Sequence, residues 1–315
     1  MANIIFTINC VLPVFLVIII GYILKRTKLM SQNFIDNASK LVFLLFLPSL
    51  IFRQISAVEF DKLAGIHKTA LIGIIAVTAH FLILSVIVKF FIKDRPSRGA
   101  FIQGCFRSNY ALIGVPLATN LFGREGAAKC AVMLAVILPF FIVYSVITLS
   151  LNAESSEKSD FKNILFKIVK NPYIIAVFSG LLFSLASIHV PDVIGKTLDY
   201  MADIATPLAL LTIGAFLSTA NIKDNFRIAL SASLIKTVLV PLLSLPPALF
   251  LGLRGADLGV LFILFASPAA VSSFIMAKGM KSNASLAANI VIISTALSCF
   301  TFFIGILILK NSGVI

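Results

Sequence analysis

The chain has 315 residues, 26 Lys and Arg against 13 Asp and Glu, a net charge of +13, and 59% hydrophobic residues. With 12% charged residues and a mean hydropathy of +1.06, it cannot present a water-soluble surface. The positive charges are spread through short polar intervals and line no face of a soluble domain, so the bilayer, not nucleic acid, is the expected surrounding.

Ten apolar stretches of about 20 residues, the length that crosses about 30 Å of hydrocarbon as a helix, are predicted in chain order. The first, near residues 3–24, is followed by Lys25 and Arg26 instead of being preceded by basic residues, so it reads as a retained helix and not a cleaved signal. The second and third are placed at 37–56 and 67–92. The fourth, at 98–122, reads RGAFIQGCFRSNYALIGVPLATNLF and is interrupted by Arg107, Asn109, Gly114 and Pro116. After the fifth, at 126–150, comes the polar run NAESSEKSDFKN. The remaining five are placed at 169–189, 199–219, 227–252, 256–279 and 284–309, the ninth being broken at Ser267 and Pro268.

The polar run divides the chain almost in half, giving a first five-helix unit at 1–150, a cytoplasmic linker at 151–168 and a second unit at 169–315. An offset of 159 residues pairs Pro13 with Pro172, Gly21 with Gly180 and Pro48 with Pro207, and carries the interrupted fourth span onto the ninth. An odd number of spans per half makes the repeats inverted, as in many secondary transporters. Chance is the competing account, because proline is frequent in membrane helices. With an outside N-terminus, the inward loops collect sixteen Lys and Arg and the outward loops eight. The positive-inside rule therefore puts both termini outside a cell (inner) membrane.

A proline removes a backbone donor and clashes with the preceding turn, so a broken span persists only where protein or a water-filled cavity satisfies the freed groups. Ser267 before Pro268 has the form of a helix start, with the serine oxygen accepting a free N–H and proline at the first helical position. Gly114, Val115 and Pro116 suggest a similar restart. Two such half-helix N-termini meeting near the midplane would make an anion site, whereas the plainer account is an ordinary proline kink.

Few polar side chains stand inside the spans. Arg107 can pair bidentately with a carboxylate, or snorkel to the inner interface. Asn109 can bond freed backbone groups or a substrate. Lys236, mid-span in the eighth helix, needs a partner there, and His80 lies close to its repeat position. Either is a candidate to carry a coupling proton, against a plain structural role. Asp203, at the start of the seventh span, is a weaker candidate with a surface role as its alternative.

All thirteen acids lie in loops or at span ends, which disfavours sodium coordination by paired intramembrane carboxylates. There is no phosphate-cradling GxxxxGK[ST] loop and no GxSxG elbow, and the three histidines show no ligand spacing. No catalytic residue, metal site or cofactor is expected. Cys10, Cys105, Cys130 and Cys299 fall within predicted helices and read as small core hydrophobes.

The run RSNYALIGVPLATNLFG at 107–123 resembles the fourth-helix signature of the auxin efflux carrier family. ASPAAVSSFIMAKGMKSNASLAANIVIISTALS at 266–298 resembles its ninth-to-tenth helix signature, and LFLPSLIF at 45–52 its second-helix motif. The resemblance implies an all-α polytopic protein of ten transmembrane helices in two inverted repeats, with two crossing broken helices, the fourth and ninth. It also implies a scaffold domain beside a transport domain, and a possible homodimer. By the same resemblance Asn109, Gly114 and Pro116 match the first crossing element, Ser267, Pro268 and Ala269 the second, and Pro48 and Ser49 part of a cavity wall. The short central loop favours a bacterial-type malate or malonate permease.

The expected function is secondary transport of small organic anions, mono- or dicarboxylates, by alternating access around the crossover. The alternatives are a sodium-coupled symporter of the bile-acid type, a channel and an intramembrane enzyme.

Overall fold

The computed structural model describes residues 2–57, 66–153, 166, 168–217 and 225–315. Most of the expected linker lies outside them, as do Lys62, Lys158, Lys162, Lys167 and Lys223. In chain order the helices are α1 (Ala2–Arg26), α2 (Gln32–Ser56), α3 (His67–Phe91), α4 (Arg95–Phe106) and α5 (Tyr110–Leu151). They continue with α6 (Pro172–Leu185), α7 (Asp192–Leu217), α8 (Phe226–Phe250), α9 (Gly255–Ala266), α10 (Ser272–Gly279) and α11 (Ala284–Asn311). No strand is present among the described residues.

Helical residues occupy each of the ten predicted intervals, and among the described residues six helices are long and apolar enough to cross a membrane. The chain is an all-helical polytopic membrane protein. Hydrocarbon offers the backbone no hydrogen bonds, so each segment closes its own, and the apolar side chains that soluble proteins hide are turned outward. Phe90 and Phe91 on α3 are 81% and 80% exposed and Phe250 on α8 is 92% exposed, an arrangement that suits a lipid surrounding.

Four helix starts are written in the local sequence. Ser31, Asp94, Asn171 and Asn283 accept from the amides of Phe34, Ser97, Tyr173 and Leu286 at 2.9–3.1 Å, with Pro96 and Pro172 in the first turns behind them. One corner is just as local. α5 reverses at Gly123, whose φ of 62° and ψ of −147° suit glycine alone, bringing Gly126 against the carbonyl of Ala118. Both α2 and α8 carry one π-turn, at Val42–Phe46 and Ile235–Leu239.

Glycines also set helix spacing. A Cβ on Gly21 of α1 would strike the backbone of Leu211 on α7, and one on Gly214 of α7 would strike that of Ile18. Gly180 of α6 likewise admits Ile55 and the Phe52 carbonyl of α2.

Polar contacts tie the two ends of the bundle separately. At one end Lys278 Nζ reaches Asp36 at 2.9 Å, and Asn283 donates to Ser97 Oγ at 2.9 Å. At the other, Arg53 grips Asp199 through two bonds of 2.6 and 2.9 Å, and Lys129 bridges Glu125 and Asp257. These two ends are called the Lys278 face and the Arg53 face below. The Arg53 pair is open to solvent, with side chains 29% and 47% exposed. Arg53→Ala is therefore expected to change stability by no more than about 1 kcal/mol, read as thermal unfolding in detergent.

Candidate functional site at the helix crossover

Pro268 sets the second break. It forces the residue before it out of the helical region, and Ser267 stands at φ −58°, ψ 142° as the cap that follows α9. Ser267 Oγ donates back to the Ile263 carbonyl at 2.6 Å. The serine thus closes a helix where the sequence suggested it opens one; α10 begins only at Ser272.

The first break lies at Arg107–Asn109, about two turns ahead of the expected Gly114–Pro116, and α5 continues through both of those residues. Arg107 is extended at φ −83°, ψ 116°, and its amide closes α4 onto the Gln103 carbonyl at 3.0 Å. Pro116 removes only one amide from a helix already under way, which a membrane helix tolerates. Gly114 instead makes room for the Tyr110 ring, since a Cβ there would sit 2.7 Å from Tyr110 Cδ2. The signal for the true break was present: 159 residues before Ser267 and Pro268 stand Ser108 and Asn109.

The two interruptions satisfy each other. They run antiparallel, bridged at Ser108 and Ala269, with the Asn109 amide donating to the Pro268 carbonyl at 2.7 Å and the Ala270 amide to the Arg107 carbonyl at 3.3 Å. Ser108 Oγ donates to the Leu264 carbonyl at 2.5 Å, and Ser294 Oγ accepts from the Ala269 amide at 3.0 Å. Backbone groups released from two helices inside the bundle thereby find partners. Directly after the bridge, α5 and α10 begin, so two helix N-termini adjoin it, with the Ser273 and Phe274 amides of α10 already taken by the Ala270 and Val271 carbonyls at 2.9 and 3.2 Å.

A cavity of about 190 Å³ opens beside the bridge. Its polar end is Arg107, Ser108, Asn109 and Ser272. Leu47, Leu50, Ile51 and Gln54 of α2 form one wall, Leu134, Leu138 and Phe141 of α5 another, and Thr206 and Ala209 of α7 a third. Gln54 directly follows Arg53, so the cavity leads from the crossover toward the Arg53 face.

Among the described residues Arg107 is the only charged one of that lining, and it is 3% exposed. Its Nη2 donates to Ser272 Oγ at 2.7 Å and its Nη1 meets Met276 Sδ, but no carboxylate pairs with it among the described residues. Asn109 Nδ2 is buried with no partner. An unpaired guanidinium, an unpaired amide donor and two positive helix ends around one hollow present donors and no competing negative charge, the chemistry of a small-anion site.

The other expected site residues sit around this hollow without lining it. Ser267, Pro268 and Ala269 are buried in the second break, one residue before the lining segment Ala270–Ser272. Pro48 and Ser49 belong to the α2 turn that lines it through Leu47 and Leu50, and Ser49 Oγ instead donates to Leu45 O at 2.8 Å. Lys236 is fully buried in the α8 π-turn, its Nζ donating to the Phe265 carbonyl at 2.7 Å, where it caps the negative end of α9. His80 reaches the same residue, its ring T-stacked on Phe265 at 5.8 Å, with Nε2 3.4 Å from Ser244 Oγ. Asp203 is exposed. Sequence reasoning missed Ser272, Gln54 and Thr206, although Gln54 was visible as a polar residue in an apolar span.

Residues 6–306 match the model of a family described as membrane transport protein. An uncharacterized transporter of Methanocaldococcus jannaschii is 23% identical over 96% of this chain and 99% of its own. Another uncharacterized transporter, from Methanothermobacter thermautotrophicus, is 22% identical over 91% and 93%. A Rhizobium meliloti protein provisionally named a malonate transporter is 24% identical over 97% and 96%.

Proposed function

Because this chain belongs to the membrane transport protein family, we propose that it is a secondary carrier of small organic anions, mono- or dicarboxylates, which it binds at the helix crossover. The observation that carries this reading is the meeting of two helix breaks beside a cavity whose one charged side chain, Arg107, lacks a carboxylate partner. Arg107, Asn109 and the first turns of α5 and α10 hold the carboxylate, while the leucines of α2 and α5 receive the carbon skeleton. The name of the Rhizobium meliloti relative adds weight to a carboxylate substrate.

In this reading the two halves of the chain are inverted repeats, with the linker in the cytoplasm, both termini outside the inner membrane and a homodimer as the working form. Two features favour the duplication. Asn109 and Pro268, bonded at the bridge, are 159 residues apart, so repeat mates face each other there. Gly21 packs on Leu211 and Gly180 on Phe52, and both pairs obey the same offset. Gly114, Pro116, Ser267, Pro268 and Ala269 act through the shape of the two crossing elements, and Pro48 and Ser49 through the α2 wall. Lys236 and His80 remain candidates for proton coupling through their shared contact with Phe265.

Uptake of labelled malonate, malate and indole-3-acetate into proteoliposomes, with and without imposed proton or sodium gradients, tests the proposal. Saturable, gradient-sensitive uptake of at least one acid is expected. No uptake of any carboxylate sinks it, and single-channel currents would replace the carrier by a channel.

A further inference from the structure

Beyond the cavity, toward the Lys278 face, the protein buries polar atoms that bond to nothing. Gln103 Oε1, Ser145 Oγ, Thr148 Oγ1, Tyr173 OH and Ser273 Oγ are all inaccessible and unpaired, on residues at most 2% exposed. Interiors leave few such atoms, and each costs about 1–3 kcal/mol. Helical serines and threonines elsewhere in this chain avoid the cost by bonding the carbonyl four residues back, as Ser49, Ser233, Thr237 and Ser244 do. Ser145, Thr148 and Ser273 do not.

Their positions share a direction. On α5, Phe141 lines the cavity, and Ser145 and Thr148 follow on the same helix face, four and seven residues on. On α4, Gln103 lies one turn beyond Arg107. On α10, Ser273 and Met276 follow Ser272, and Met276 Sδ takes contacts from both Arg107 and Gln103. Tyr173 closes the far side, its ring T-stacked at 4.9 Å on Phe43, which covers Gly279 at the end of α10.

We propose that these five residues line a second, closed half of the substrate path, a polar passage from the crossover to the Lys278 face that fills with water and takes the carboxylate when it opens. Arg107, held by Ser272 and Met276, stands at the boundary between the open cavity and the closed passage. The proposal rests on the transport reading for its solute, while its residues follow from burial and helix register alone. The unpaired hydroxyls and amide oxygen are satisfied in the open form and left dry in the closed one.

Single cysteines at positions 145, 148 and 273, in a chain with Cys10, Cys105, Cys130 and Cys299 changed to alanine and still folded as judged by thermal unfolding in detergent, test it. A membrane-impermeant maleimide applied at the Lys278 face is expected to label Ser145→Cys, Thr148→Cys and Ser273→Cys at least tenfold faster than Ser298→Cys. Ser298 is equally buried but bonded to the Thr295 carbonyl at 2.8 Å. Equal inertness of all four overturns the passage. Independently, Thr148→Val and Gln103→Leu in the native-cysteine chain are expected to raise the unfolding temperature by a few degrees and slow uptake at least tenfold, because the dry closed form gains and the wet open form loses. A fall in unfolding temperature would mean these atoms have partners in the closed form, and it overturns the proposal. Labelling without uptake of any carboxylate by the parent chain supports the passage while removing the substrate reading. Uptake with inert cysteines removes the passage alone.

Discussion

Arg107→Met is expected to weaken carboxylate binding at least a hundredfold while leaving the protein folded. Arg107 is the one charged residue of the cavity lining, and its guanidinium forms no ion pair with any described carboxylate that would be stranded by its loss. A hundredfold is about 2.7 kcal/mol, within the about 2–5 kcal/mol that loss of one partner from a buried charge pair costs. Arg107→Lys should recover part of this, since an ammonium supplies charge but not a fork that serves Ser272 and a carboxylate together. Apparent KM for the transported acid in proteoliposomes is the measurement. An unchanged KM in Arg107→Met would place the anion elsewhere.

The second large effect concerns stability. A side chain at position 214 would collide with the carbonyl of Ile18 and approach Tyr22 N to 2.9 Å, so the obstruction is backbone and no rotamer relieves it. Gly214→Val must separate α1 from α7, and a loss of about 3 kcal/mol or more is expected. Gly123→Ala makes the contrasting case. Nothing lies within 4 Å of a Cβ there, so only the backbone conformation is penalised, at about 1–3 kcal/mol. Thermal unfolding of the two variants in detergent should rank them in that order, with KM of the surviving folded protein unchanged in both. The reverse order would mean that α1 and α7 are free to move apart.

Several elements could be read without coordinates because their causes are local. Apolar runs of membrane length gave the helices, and the caps that the structure shows at Asn171 and Asn283 are equally local, made by side chains that reach only two or three residues. Pro268 marked the second break because proline restricts the residue beside it. The first break was misplaced for the complementary reason. Gly114 and Pro116 are the conspicuous helix breakers, yet the chain opens at Arg107–Asn109, where the amide and carbonyl that leave the helix are taken up by Pro268 and Ala270, some 160 residues away. A propensity scale has no term for that exchange.

By itself the sequence determined what each residue demands of its surroundings: lipid around the apolar helices, company for a buried guanidinium, a non-helical residue before Pro268. The tertiary structure decided which demands are met and by whom. It paired the two breaks with each other, gave Lys236 the Phe265 carbonyl, and left Arg107 and Asn109 facing a hollow. The division follows from range. Backbone restriction and transfer out of water act on a residue wherever it is, whereas hydrogen bonds and charges act over a few ångströms and go to whichever neighbours the packed helices supply.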